Sequence, residues 1–281
     1  MNKITSIDSL GTNGYVYRAY PRDISMAVAG AMQAWKRFCD LPEKSRTSFG
    51  YHPNGGMGVG YELKKQAGAF RDLKEDFHFT SGMREWLAQV AEGTGRNTPV
   101  RLVAAANSLA RELAPFIVEI AQDIERQYGL EGLAKEVAES QDMWFVRFLH
   151  YFGDRNPGDE IATSHADKCG FTLHLYEDAP GLQFLDFAKQ WQDVPIAHDE
   201  TFVIPGMRMQ YRSHNKLKAL FHRVVATQTT ATTGRFSMVC FVHLKKTPAY
   251  DKAKSGRLQE FPPGFNYDMP FEDFSELFRP V

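Results

Sequence analysis

The chain predicts a mainly β fold: a double-stranded β-helix (jelly roll) braced by long α-helices from a helical N-terminal part. Three observations predict it. From Met143 onward apolar residues alternate in short runs, separated by turn signals such as Asn156-Pro157-Gly158 and Ala179-Pro180-Gly181. Before Met143 the apolar residues recur with a helical period instead. Finally, His165-Ala166-Asp167 and the distant His222 can share one site only in a closed β structure, where strands far apart in sequence face each other.

The elements follow in order. Ile24, Val28, Met32 and Trp35 mark the apolar stripe of a helix over about 23–39, which Leu41-Pro42 ends. Residues 51–72 are rich in glycine and read as a loop with short strands, positioned to lie over the mouth of a site. A second, longer helix has Thr98 as its N-cap, Pro99 at its first position and Gly129 just past its end. Its stripe runs through Leu102, Ala106, Leu109, Leu113, Ile117, Ile120 and Ile124. At 1.5 Å per residue it is a rod of roughly 45 Å, long enough to brace one face of a barrel. Strands are expected over 143–151, 170–176, 182–187, 201–204, 219–227 and 235–244. Residues 246–281, with Pro248, Pro262, Pro263, Pro270 and several aromatics, read as a C-terminal wrap. The organisation is thus a helical region (1–142) packed on a β core (143–245) and a wrap (246–281), all one structural unit.

Composition narrows the function. The chain has 281 residues, 43% of them hydrophobic, enough for a substantial core. A formal net charge of −1 offers no basic field for nucleic acid or an anionic membrane. The odd set Cys39, Cys169 and Cys240 fits a reducing compartment better than a disulfide framework. No apolar run approaches the roughly 20 residues of a membrane span. The opening Met1-Asn2-Lys3-Ile4-Thr5-Ser6 lacks the apolar region of a signal peptide, so the expected location is cytoplasmic.

Residues two apart on an extended segment point to one side, so His165 and Asp167 can bind one metal together, with His222 arriving from another strand. Two imidazoles and one carboxylate, with open positions opposite, are what a non-haem Fe(II) oxygen-activating site requires; the same donors also suit Zn(II) or Ni(II). Standing alone, His-x-Asp is more often a solvated turn than a metal site. Arg235 and Ser237 share one strand face, where a guanidinium can grip a carboxylate bidentately while a hydroxyl adds a further hydrogen bond. An arginine on a Phe/Val/Met-rich strand is costly to bury without an anionic partner.

The flanking order sharpens this. After His165-Ala166-Asp167 come a buried strand, an acidic turn and Gly181-Leu182-Gln183, then Trp191, Val194-Pro195, Phe202-Val203-Ile204, Gly206, His222-Arg223-Val224 and Arg235-Phe236-Ser237. Over 143–245 this resembles the isopenicillin N synthase-like family of Fe(II)/2-oxoglutarate-dependent dioxygenases. A looser likeness over 14–79 rests on Leu41-Pro42-Glu43-Lys44, Gly60-Tyr61 and Lys74-Glu75-Asp76-Phe77, the last read as scaffold. The resemblance selects iron among the possible metals and implies Fe(II) on His165, Asp167 and His222. It also implies 2-oxoglutarate as cosubstrate, its distal carboxylate held by Arg235 and Ser237 with help from Tyr151. O2 and a small-molecule substrate complete the reaction: C–H oxidation by hydroxylation, desaturation or cyclisation, with release of succinate and CO2. Relatives that dispense with 2-oxoglutarate also keep an Arg-x-Ser, so a 2-oxoglutarate-independent Fe(II) oxidase is an alternative; a zinc-binding or non-catalytic jelly roll is a more remote one. The chain departs from the family at Leu149, where an Asn is common, at Gly206-Met207 in place of Gly-Asp, and in lacking an Ile/Val-rich N-terminal strand.

Substrate contacts are assigned to Arg147, His174, Phe79, Phe145 and Tyr211. Arg147 lies on the same strand face as Tyr151 and can take a substrate carboxylate or pair with Asp142. Thr172, His174 and Tyr176 share one face of their strand, so His174 either lines the pocket or is a structural histidine.

Overall fold

Alternation decides what each strand buries, and the result is two antiparallel sheets with helices on the outer face of the larger. A computed structural model describes residues 3–52, 58–65 and 73–245. The helices are α1 (Ser9–Thr12), α2 (Arg22–Cys39), α3 (Glu43–Thr47), α4 (Arg84–Gly93), α5 (Asn97–Tyr128), α6 (Leu133–Glu139), α7 (Met207–Arg212) and α8 (Thr230–Thr233). The strands are β1 (Val16–Ala19), β2 (Tyr51–His52), β3 (Val59–Lys65), β4 (Leu73–Phe79), β5 (Phe145–Tyr151), β6 (Glu160–His165), β7 (Phe171–Glu177), β8 (Leu182–Leu185), β9 (Trp191–Asp193), β10 (Glu200–Pro205), β11 (His222–Val225) and β12 (Arg235–Val242). The large sheet runs β1-β10-β7-β12-β5-β4-β3-β2 and the small one β6-β11-β8-β9. Together they form the double-stranded β-helix that the sequence predicts.

Along each central strand the residues split between two cores. Leu149, Tyr151, Phe202, Ile204 and Val239 meet Ile161, Leu182, Phe184 and Val224 of the small sheet and fill the space between the sheets. Val146, Phe148, Leu173, Leu175, Met238, Cys240 and Val242 face the other way, against Trp35 and Phe38 of α2 and Leu113, Ile117 and Ile120 of α5. A pleat with period two makes this division automatic.

The long helix begins at Asn97, with Pro99 as its third residue. Thr98 is therefore inside the helix and not its cap. The first four amides of a helix have no intrahelical acceptor, so a proline anywhere among them sacrifices no hydrogen bond. Gly129 ends the helix in the left-handed conformation at φ +65°, as expected for its position. An N-terminal strand is present after all: Val16–Ala19 pairs with β10, with Tyr15 and Tyr17 turned into the barrel. In the glycine-rich 51–72 region the described residues include the short strands β2 and β3, which with β4 extend the large sheet as a meander. β6 and β9 are additional strands. The wrap expected over 246–281 lies outside the described residues.

Candidate metal centre and carboxylate seat

His165 is the last residue of β6 and His222 the first of β11, and the two are direct partners across the small sheet. Asp167 follows two residues after His165, in the loop that leads to β7. Both imidazoles are oriented by their own backbone. His165 Nδ1–H donates to the Thr163 carbonyl at 2.7 Å and His222 Nδ1–H to the Leu220 carbonyl at 3.2 Å. Each ring therefore keeps its Nε2 lone pair free. Those nitrogens lie 3.6 and 3.8 Å from Asp167 Oδ1 and Oδ2, and one ligand atom from each residue falls within a common span of 4.8 Å. Thr172 Oγ1 donates to Asp167 Oδ2 at 2.6 Å.

This donor set fits a divalent metal with open positions: three converging ligands, not four, and one of them at the rim. The His165 side chain is 45% exposed, whereas those of Asp167 and His222 are 6% and 7%. Access is therefore from the His165 side. Electrostatics keep the donors ready. Burial works to raise the Asp167 carboxyl, but His222, His165 and the Thr172 hydroxyl outweigh it and hold it far below the usual carboxylate range. Burial lowers His222 and favours the neutral, metal-binding imidazole. Burial also opposes charge on His165, but Asp167 beside it prevails and moves it up.

Backing onto this cluster, His174 is buried with its ring 5.4 Å from that of His222 and 5.8 Å from Phe202. Its Nε2 has no hydrogen-bond partner, and burial followed by the His222 charge pushes its pKa down to about 3. It is a neutral group facing the barrel interior.

The second constellation lies on β12. Arg235, Ser237 and Val239 project into the barrel beside Tyr151, Leu149 and Arg147 of β5. The Arg235 guanidinium sits 5.7 Å from the centre of the Tyr151 ring, and its Nε donates to the Ala179 carbonyl at 3.3 Å. A residue that the sequence did not single out completes the group: Glu177 Oε1 is 2.8 Å from Arg235 Nη2. It gets there through a β-bulge, because the β7–β12 register slips between Met238 and Val239. Ser237 is thereby placed opposite Glu177, while Tyr176 leaves the face of His174 for the helix-side core. This corrects the expectation that Thr172, His174 and Tyr176 share a face: a bulge inverts the alternation beyond it.

The expected substrate contacts divide. Arg147 faces the barrel, stacked 4.9 Å from the Phe241 ring, with a buried Nε that has no partner. Asp142 pairs with Lys245 at 2.8 Å, and so is not the partner of Arg147. Phe79 is not a wall of the site; it points to the opposite side of the large sheet, where it lines a crevice with Leu113 and Ile117 of α5. Phe145 also belongs to the helix-side core, its ring 5.9 Å from that of His243. Tyr211 is half-buried on α7, the helix that opens where Met207 N–H donates to the Asp167 carbonyl at 2.7 Å. At the head of that helix, a Cβ on Gly206 would come within 2.3 Å of the Cys169 carbonyl oxygen, so only glycine allows so close an approach to the metal loop.

The family model described as the 2OG-Fe(II) oxygenase superfamily matches residues 143–244, a span that contains the whole triad and the Arg235 strand. Over that span the chain is similar to that superfamily. A curated relative, "Probable flavonol synthase 6" of Arabidopsis thaliana, is 25% identical over 158 residues, 54% of this chain. The chain spans about half the length of that relative, 51%. Solved structures share the fold. A full-length Neurospora crassa protein in complex with alpha-KG superposes with a TM-score of 0.72 at 18% identity, covering 88% of this chain and 83% of that one. The rice dioxygenase for auxin oxidation gives 0.67 at 19% identity, covering 88% and 81%.

Proposed function

We propose that the protein is an Fe(II)- and 2-oxoglutarate-dependent dioxygenase that oxidises a C–H bond of a small molecule by hydroxylation, desaturation or cyclisation. The observation that carries this reading is the convergence of His165, Asp167 and His222 within 4.8 Å, beside a barrel face bearing Arg235 and Ser237. Bound there, Fe(II) would supply O2 activation coupled to conversion of 2-oxoglutarate to succinate and CO2.

The chain's own residues do the positioning. His165 and His222 present Nε2 lone pairs because their Nδ1 hydrogens are committed to backbone carbonyls. Asp167 supplies negative charge, and Thr172 fixes its orientation. Arg235 and Ser237 are assigned to the distal carboxylate of 2-oxoglutarate, with Tyr151 alongside. Phe184, Phe202 and Val239 keep that interior dry, where each charge interaction is stronger than in water. The substrate enters at the exposed side of His165. Arg147 has no ion-pair partner among the described residues and is assigned to an acidic group on the substrate, with His174 lining the pocket. Cys39, Cys169 and Cys240 are all free thiols, in keeping with a cytoplasmic place of action; among the described residues no helix is long and apolar enough to cross a membrane.

The test is succinate formation from 2-oxoglutarate by protein loaded anaerobically with Fe(II) and then exposed to O2. The wild type should produce it, and removal of the metal or His222→Ala should stop it while the circular dichroism spectrum is retained. One contact favours a second reading, a 2-oxoglutarate-independent Fe(II) oxidase: Glu177 Oε1 stands as a counter-ion 2.8 Å from Arg235 Nη2, although that nitrogen makes no hydrogen bond. That enzyme would consume O2 with its substrate and yield no succinate.

A further inference from the structure

Arg235 is nearly inaccessible, its side chain 1% exposed and that of Glu177 6%, because a carboxylate of the protein itself stands against it. The neighbouring acid does not share this role. Asp178 faces outward, accepting from Lys36 Nζ at 2.7 Å and from the Phe236 amide at 2.8 Å. Only Glu177 is turned inward by the β7 bulge, directly across from Ser237. It therefore lies against Arg235 and across the ladder from Ser237, the two residues assigned above to the cosubstrate's distal carboxylate. Two ionised carboxylates cannot share one desolvated guanidinium without strong repulsion.

Resting on the reading that Arg235 seats 2-oxoglutarate, we propose that Glu177 guards this seat: the incoming carboxylate displaces it from Arg235, and Glu177 takes up one proton from solvent as it gives way. No covalent bond changes; the proton passes from buffer or water to a Glu177 oxygen and returns when the ligand leaves. The surroundings suit such an exchange. Burial raises the Glu177 carboxyl against the pull of Arg235, with Asp178 adding to the rise. Tyr17 of β1 and Glu200 of β10 approach from one side, and His174 of β7, Tyr151 of β5 and Lys74 of β4 from the other. Arg235 favours the carboxylate, whereas burial and Asp178 favour the acid. Tyr17, raised mainly by burial, and His174, lowered to about 3, stay neutral near pH 7. Glu177 thus sets how tightly, and at what pH, the site accepts a dicarboxylate cosubstrate.

The measurement is calorimetric titration of the Mn(II)-loaded protein with 2-oxoglutarate between pH 6 and 8.5, in two buffers of different ionisation enthalpy so that protons are counted. The wild type should take up close to one proton in the upper part of that range, with Kd rising by up to about tenfold per pH unit there. Glu177→Gln should bind at least 10-fold more tightly at pH 8, with no proton uptake and a flat profile. Glu177→Ala should behave likewise if the Gln variant does not fold, and the wild-type proton count requires neither. Binding to the wild type without proton uptake, with unchanged or weaker binding by the variants, would overturn the proposal and leave the dioxygenase reading standing. Binding to neither wild type nor variants would remove the cosubstrate reading itself, and this proposal with it. Binding by the Gln variant alone would support the proposal.

Discussion

Thr172 and Asp167 are joined by a 2.6 Å hydrogen bond between the start of β7 and the loop that carries the carboxylate of the candidate metal site. Thr172 is fully buried, and its hydroxyl also lies 3.1 Å from Cys169 Sγ. The bond fixes one Asp167 oxygen, so the carboxylate meets a metal in one orientation. Groups that orient a ligand in this way typically account for 10- to 100-fold in metal affinity. Thr172→Val keeps the shape and removes the donor. Mn(II) affinity, measured by competition with a chelator, should fall by about that factor; unchanged affinity would mean that the bond orients nothing of consequence.

Phe79 tests the division of the large sheet into two faces. Its ring is fully buried against Trp144, Leu113 and Ile117. Truncating a buried phenylalanine costs roughly 3–5 kcal/mol in lost contacts and residual cavity. Phe79→Ala should therefore lower the urea midpoint strongly while leaving KM for substrate and cosubstrate unchanged in the folded fraction. A changed KM at unchanged stability would return Phe79 to the pocket.

The parts legible in the sequence are those whose signal is local. The α5 stripe from Leu102 to Ile124 and the alternation in β5, β10 and β12 depend only on spacing, and they located their elements to within a few residues. The candidate pair His165/Asp167 is legible because the two residues are close in sequence, although β6 ends at His165 and Asp167 reaches it from the following loop. β6 is different: Glu160-Ile161-Ala162-Thr163-Ser164-His165 contains a single buried apolar side chain, and it is a strand because β11 pairs with it. β4 buries Lys74, Glu75 and Asp76 on both faces, so polarity says nothing about which way Phe79 points. The bulge that turns Glu177 inward is a property of the β7–β12 pairing, and no residue type within β7 announces it.

Glu75 shows what the acidic β4 residues do on the helix side. Its carboxylate accepts from Tyr61 Oη at 2.6 Å and His150 Nδ1 at 2.8 Å, and pairs with Arg46 Nε at 2.8 Å. Arg46 in turn donates to the Cys39 and Leu41 carbonyls at the end of α2, so one buried anion ties α2, α3 and the sheet together. Burial opposes the charge, but His150, Tyr61 and Arg46 prevail and hold the Glu75 carboxyl below its ordinary value of 4.5. A carboxyl lowered by folding adds stability above its unfolded pKa, and that stability is lost as pH falls through the lowered value. Glu75→Gln should therefore cost roughly 3–5 kcal/mol at pH 7, where it leaves Arg46 buried without its anion. The gap in urea midpoint between wild type and variant should hold from pH 7 to 5 and narrow below about pH 4.5. A gap that does not depend on pH would mean that Glu75 is protonated in the native protein.

Arg235 carries the sharpest test of the cosubstrate seat. Its planar fork is held in place by the Ala179 carbonyl and the Tyr151 ring, so the edge presented to a carboxylate is pre-set. Arg235→Lys keeps the charge but replaces the fork with a point donor that cannot bind two oxygens in parallel. Loss of a desolvated, charge-assisted contact of this type costs on the order of 2–4 kcal/mol, which is roughly 30- to 1000-fold in affinity. The metal site should be unaffected, because no atom of Arg235 belongs to the His165, Asp167 and His222 cluster. Anaerobic titration of the Fe(II) protein with 2-oxoglutarate, followed by the metal-to-ligand charge-transfer absorbance, should show the Lys curve displaced by that factor at equal iron content. Superimposable curves would place the cosubstrate away from Arg235, and the Glu177–Arg235 pair would then be a structural ion pair of the barrel.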